Sequence, residues 1–162
     1  MDKPKEERFC RKVTELKDTM YALSIGILKN KSDAEDAMQN AIFFAFKYYD
    51  SLSAFEKFKP WFLKILTVEC YKILKKRTYT EDIDECINIC DESVDMITRV
   101  SIWDAVFSLE PILRTSIILF YSEGMSIKDI AKITDSTPDA VKKRLQRARE
   151  KLREILNEED YR

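Results

Sequence analysis

Apolar residues recur at intervals of three and four along most of this chain, the spacing that gathers side chains on one face of a helix. Phe9, Val13, Leu16, Met20, Leu23 and Ile27 predict a first helix over Arg8–Leu28, followed by a turn at Lys29–Lys31. Ser32-Asp33-Ala34-Glu35 has the form of a capping box and opens a second helix reaching Tyr48. Its inward stripe is Ala34, Ala37, Met38, Ala41, Ala45 and Tyr48, and its opposite face carries Asp36, Gln39, Asn40, Phe43 and Lys47. Asp50–Lys59 reads as a loop or short helical turn. Pro60 suits the start of a third long helix, Trp61–Arg77, with Trp61, Ile65 and Val68 on one side and Phe62, Leu66 and Ile73 on another. No stripe is sustained over Thr78–Asp95. Beyond it, Met96, Val100, Trp103 and Phe107 predict a helix over Ser93–Ser108. Pro111 starts the next, running to Tyr121 with Ile112, Thr115, Ile118 and Leu119 buried and Gly124 ending it.

The last part of the chain has the clearest local signals. Ser126-Ile127-Lys128-Asp129 is a second capping box, opening a short helix with Ile127, Ile130, Ala131 and Ile133 inward. After the turn Thr134–Ser136, Thr137 can cap a final helix, Pro138 fits its first turn and Asp139 complements its dipole. Val141, Leu145, Ala148, Leu152 and Ile155 form its apolar stripe, and the tail from Asn157 is expected to fray. Two short helices across a tight turn read as a helix-turn-helix. Lys142, Lys143, Arg144, Arg147, Arg149, Lys151 and Arg153 make the last helix basic. A merely solvated amphipathic helix is the plainer alternative.

Charge sharpens this division. The chain has 162 residues and a net charge of −1, but residues 1–77 are net +5, residues 78–95 net −7 without one basic group, and residues 96–162 net +1. The fold expected is all-α, with two small helical domains: an N-terminal bundle (1–77) and a C-terminal helix-turn-helix domain (96–162), joined by an acidic linker (78–95). There is no histidine, which removes the commonest general base and metal ligand, and two glycines cannot build a phosphate-cradling loop. Cys86 and Cys90 form a lone C-x3-C without a second pair nearby, so no metal is expected, and a redox pair is the alternative to inert thiols. No set of residues forms a nucleophile, base and orienter, so no cofactor and no enzymatic activity are expected. No run of about 18 apolar residues occurs, and the N-terminus is charged; the reading is a cytosolic protein without membrane insertion.

Three segments together resemble the small bacterial RNA polymerase sigma factors of the extracytoplasmic-function group, within the sigma-70 family. They are Asp33-Ala34-Glu35-Asp36-x-x-Gln39 before an aromatic-rich helix; Trp61-Phe62-x-x-Ile65, ending in Leu74-Lys75-Lys76; and Leu109-Glu110-Pro111…Arg114, followed by Gly124-Met125-Ser126-x-x-Asp129-Ile130-Ala131 and Val141-Lys142-x-Arg144-Leu145-x-Arg147-Ala148-Arg149-x-x-Leu152. The resemblance spans nearly the whole chain. It implies core RNA polymerase and promoter DNA as partners, with an anti-sigma factor expected. It places polymerase binding at Asp33, Asp36, Gln39, Asn40, Phe43 and Lys47. The minus-ten element would fall to Tyr49, Ser51, Ser53, Phe58, Lys59, Trp61, Lys64, Val68 and Lys72. The minus-thirty-five element would fall to Lys128, Thr137, Lys142, Lys143, Arg144, Gln146, Arg147 and Arg149. The family usually has Asn where Val68 stands, Asp where Lys72 stands, and often Gly-Thr where Asp139-Ala140 stands. Helix geometry agrees with part of this: Lys142, Lys143, Gln146 and Arg147 suit base edges in a major groove, and Arg144, Arg149 and Lys128 suit phosphates. A stand-alone dimeric helix-turn-helix regulator and a helical adaptor are the competing readings.

Overall fold

The computed structural model describes residues 3–53, 57–79 and 96–160, the side chains of 78, 79, 96–101 and 158–160 excepted. The linker reading beyond Tyr79, with Cys86 and Cys90, therefore lies outside the described residues, and α4 runs two residues into the expected linker. The fold is all-α. Its helices are α1 (Lys3–Glu15), α2 (Lys17–Leu28), α3 (Lys31–Tyr48), α4 (Phe58–Tyr79), α5 (Met96–Ser108), α6 (Pro111–Ile117), α7 (Ile127–Ile133) and α8 (Pro138–Asp160). A 3-10 turn, Tyr49–Ser51, follows α3, and a π turn, Ile118–Ser122, continues α6.

The apolar stripe of the first 28 residues is real, but the helix is broken. Leu16 leaves helical geometry (φ −94, ψ 4) and its N–H reaches back only three residues, to the Val13 carbonyl. The break swings α1 so that Phe9 meets Phe46, Tyr49 and Phe58 edge-on, with centroids 5.2–6.1 Å apart. The cap of α3 is Asn30 rather than Ser32. Lys29 closes α2 in the left-handed region (φ 54), which leaves Asn30 extended and free to accept the Asp33 N–H at 2.9 Å. At the other end of α3, Tyr48 points outward and Tyr49 is the buried tyrosine. The helix expected from Trp61 begins at Phe58, so Pro60 sits in its first turn, where its missing N–H breaks no bond. Trp103 and Ile112 were expected inward but face outward; Ala105, Val106, Leu109 and Leu113 fill the core there. The final helix runs past Asn157 to Asp160.

α3 packs on α2 and α4 through an alanine seam: Ala34, Ala37, Ala41 and Ala45 are all fully buried. The short side chains let the three helix axes approach closely. From there one apolar core runs without interruption from Phe9 through Leu63 and Leu66 to Ile130 and Leu145. It spans both halves, because α4 packs on α7 and α2 on α6. Each fully buried Leu or Phe in such a core is worth about 1.5–3 kcal/mol.

Two measurements follow from this packing. Ala41→Leu overfills the seam and should destabilise the chain by about 1–3 kcal/mol in chemical denaturation. The Cys70 thiol is buried, and loss of water pushes its pKa up to about 12, whereas Cys10 is exposed. Alkylation at mildly alkaline pH should therefore label Cys10 in the folded chain and reach Cys70 only on unfolding, as peptide mass mapping would read out.

Candidate nucleic-acid interface

The basic helix is held at its N-terminus by local chemistry. The Ser126 hydroxyl accepts the Asp129 N–H at 3.1 Å and starts α7. The turn passes through Asp135 in the left-handed region (φ 49), and the Ser136 N–H closes on the Ala131 carbonyl at 2.8 Å. The Thr137 hydroxyl then accepts the Ala140 N–H at 3.2 Å and starts α8. Val141, Leu145 and Ala148 are buried against α6 and α7, which turns Lys142, Lys143, Gln146 and Arg147 outward on the first turns of α8. Lys128, on α7, is also exposed.

Two of the arginines expected on phosphate are occupied otherwise. Arg144 donates to the Ser136 hydroxyl at 3.1 Å and reaches the Thr134 hydroxyl at 3.5 Å, bracing the turn against α8. Arg149 donates to the Tyr121 hydroxyl at 2.7 Å, and its guanidinium stands 5.6–5.8 Å from the ring centroids of Phe120 and Tyr121. It anchors α8 to the π turn.

A second surface lies on α3 and α4. Asp36, Gln39, Asn40, Phe43 and Lys47 share the outer face of α3, and Phe43 is 63% exposed. Asp33 stands apart from them: Arg77 clasps it, with Nε 2.8 Å away, while also donating to the Leu28 carbonyl at 2.6 Å. On α4, Lys64, Val68 and Lys72 form an exposed stripe at intervals of four. Lys72 pairs with Glu69 at 2.8 Å and lies 5.4 Å from the Phe44 ring centroid. A groove of about 410 Å³ between the two helices is lined by Asn40, Glu69, Lys72, Ile73, Lys75 and Lys76.

Residues 99–152 match the family model for sigma-70, region 4. Over nearly the full chain, the protein is similar to RNA polymerase sigma factor SigV of Bacillus subtilis, 29% identical over 156 residues that cover 91% of this chain and 90% of that protein. It is also similar to the extracytoplasmic-function sigma factor SigW of the same organism, at 27% identity, 94% of this chain and 91% of that one. Among solved structures, the sigma factor RpoE from Bartonella quintana, crystallised with the anti-sigma factor NepR, superposes with a TM-score of 0.82 at 25% identity, covering 93% of this chain and 98% of that one. The chain belongs to the extracytoplasmic-function group of the sigma-70 family. CnrH, solved in complex with the cytosolic domain of CnrY, shares the fold, with a TM-score of 0.68 at 22% identity over 94% of this chain and 89% of that one. Among the described residues of this sigma factor, no helix is long and apolar enough to cross a membrane.

In this sigma factor, Tyr49 and Phe58 are corrections to the expected DNA surface: both are buried and edge-on to one another, and they belong to the aromatic cluster around Phe9. Ser51 and Ser53 are exposed, and Ser51 donates to the Tyr48 carbonyl at 2.6 Å. Trp61 is half-buried against Phe58, and Lys59 reaches the Glu123 carbonyl at 3.4 Å and its carboxylate at 3.8 Å. From the sequence, Tyr121 and Arg77 have no role beyond marking the ends of helices. Each meets its partner across 28 or 44 residues of chain, a distance that no local pattern reports. The division among the arginines is testable. Arg149→Ala should lower the melting temperature of the free protein, because it frees α8 from the π turn. Arg147→Ala, at an exposed position, should leave melting unchanged.

Proposed function

We propose that this sigma factor binds core RNA polymerase through the outer face of α3 and directs initiation by engaging two promoter elements with its two halves. Segment 96–162 would read the minus-thirty-five element as duplex. Segment 1–77 would recognise and open the minus-ten element, and residues 78–95 would link them. The observation that carries this reading is the exposed start of α8, where Lys142, Lys143 and Arg147 stand free beside a capped helix terminus and Gln146, also exposed, reaches Glu150 on its own helix at 3.4 Å. Lysine and arginine at such positions donate to guanine O6 and N7, and glutamine pairs with adenine.

On α3, Asp36, Gln39 and Phe43 lie about one turn apart, combining charge, amide and an exposed ring in a way that suits a helical partner surface. On the first half, Lys64, Val68 and Lys72 are the candidates for the separated strands, with Lys59, Trp61, Ser51 and Ser53 at the approach to α4. Val68 supplies an apolar surface, 43% exposed, where a base taken from the stack can rest. The linker is net −7 without one basic group, so it would avoid DNA phosphates and suits the basic channel that otherwise holds RNA. The relative solved with the anti-sigma factor NepR makes such a factor the expected regulator.

A single helix-turn-helix module buries only about 600–1,000 Å² on DNA, so the free protein should bind duplex weakly and with steep salt dependence. Specificity should appear once polymerase makes the second contact intramolecular. Run-off transcription with core enzyme, beside gel shifts of the protein alone, tests this. Promoter-specific transcripts are expected only with both proteins present. Tight sequence-specific binding by the free chain, without stimulation of core enzyme, would instead establish a stand-alone regulator. Lys142→Ala and Arg147→Ala should each remove about 1–3 kcal/mol of discrimination at their own base pairs. Asp36→Arg combined with Phe43→Ala should weaken co-purification with core enzyme while leaving the circular dichroism spectrum unchanged.

A further inference from the structure

α4 presents Lys64, Val68 and Lys72 to solvent at intervals of four, while Leu63, Leu66, Thr67 and Cys70 beside them are buried. The core thus fixes the rotation of the helix and with it the direction of the stripe. Residues four apart on a helix have Cβ atoms about 5–6 Å apart. Val68 therefore stands as an exposed apolar side chain, 43% accessible, between two ammonium groups.

Lys72 is a surface lysine with an anchored head. The Glu69 carboxylate accepts from its Nζ at 2.8 Å, and the ring centroid of Phe44, on α3, lies 5.4 Å from the same nitrogen. The pair is unequal: the Glu69 side chain is 8% exposed and that of Lys72 58%. The buried carboxylate holds one N–H of the ammonium, and the ammonium has three. Its outward side can donate to a ligand from a fixed position. Neither lysine nor valine carries a side-chain acceptor, so the stripe offers donors and an apolar patch and nothing else.

That combination matches one base edge. In the major groove thymine presents the acceptor O4 and the C5 methyl group on neighbouring ring atoms. Adenine and cytosine place an amine where thymine and guanine place an oxygen, and an amine meets an ammonium donor to donor. Guanine accepts but has no methyl group to set against Val68. We infer that Val68 and Lys72 select a thymine of the minus-ten element, Val68 packing on its C5 methyl and Lys72 donating to its O4, with Glu69 as the residue that positions the lysine. This rests on the reading of the outer face of α4 as the minus-ten surface. It also gives chemical meaning to the two places where the chain departs from the family's usual Asn and Asp. Those side chains carry acceptor oxygens and can take an amine, and this pair cannot.

Run-off transcription with core enzyme on barcoded templates, randomised upstream of the start, tests the selection. The wild type should enrich thymine at one minus-ten position. Val68→Ala and Lys72→Met, both at exposed sites, should lose that enrichment and keep the preference at the minus-thirty-five element. Two replacements of that thymine then separate the contacts. Uracil lacks only the methyl group, and should lower wild-type transcription about fourfold while leaving Val68→Ala unaffected. 5-Methylcytosine keeps the methyl group but exchanges O4 for an amine. It should lower transcription about tenfold more for the wild type than for Lys72→Met, since the cost of opening the changed base pair is common to both and cancels. Glu69→Gln should shrink the 5-methylcytosine effect and spare the uracil effect, a split that general loss of structure does not produce. Thymine enrichment that survives both substitutions overturns the inference, as does enrichment of another base at the position they control, or equal transcription from thymine and uracil templates. Failure of the wild type to give promoter-specific transcripts from any template overturns the two-element reading itself, and this inference with it.

Discussion

A helix must find donors for its last carbonyls, and at the end of α2 that requirement is met by two arginines from distant parts of the chain. Arg77 closes the first half on itself, joining the end of α4 to the start of α3 through Asp33. Arg114 of α6 closes the second half on the first, donating to the Gly26 and Ile27 carbonyls. The apolar core follows the same geometry, passing from the alanine seam of α3 through α4 into α7 and α8. Hydrophobic burial supplies most of the stabilisation but has little direction. The arginine bonds do have direction, and they set which face of α6 meets α2.

The candidate DNA surface shows a similar division of labour. On α8, charge of one sign serves two ends. Lys142, Lys143 and Arg147 stand free for a ligand, while Arg144 and Arg149 spend their donors within the protein, on the turn and on Tyr121. A basic helix therefore overstates its own interface when it is read by charge alone. The braced arginines keep the helix start rigid, which the free residues need if they are to meet base edges in one geometry.

What was legible in the sequence was whatever closes over three or four residues. The Ser126 and Thr137 caps, the stripe of α8, the outer face of α3 and the stop at Gly124 (φ +63) all stand where spacing put them. Ser32 was the expected cap of α3, but the left-handed Lys29 ends α2 so that Asn30 takes that place. The break at Leu16 left no mark because the apolar stripe continues unphased across it. Tyr49 and Phe58 looked like surface aromatics in a polar loop; only the swing of α1, which brings Phe9 against both, makes them core. Gly26 carried a signal, being a glycine within an apolar helical run, but its meaning required Ile118, 92 positions away, whose Cδ1 methyl a Cβ there would overlap.

The alanine seam of α3 has a consequence for how this protein can diverge. A helix that packs through methyl groups has no rotamers to rearrange on its buried side. Substitutions on its outer face then leave the packing beneath undisturbed. Asp36, Gln39, Asn40 and Phe43 can vary as a set while the seam holds the helix in one place. The surface proposed to meet a partner and the surface that holds the fold are thus free to change at different rates on a single eighteen-residue helix.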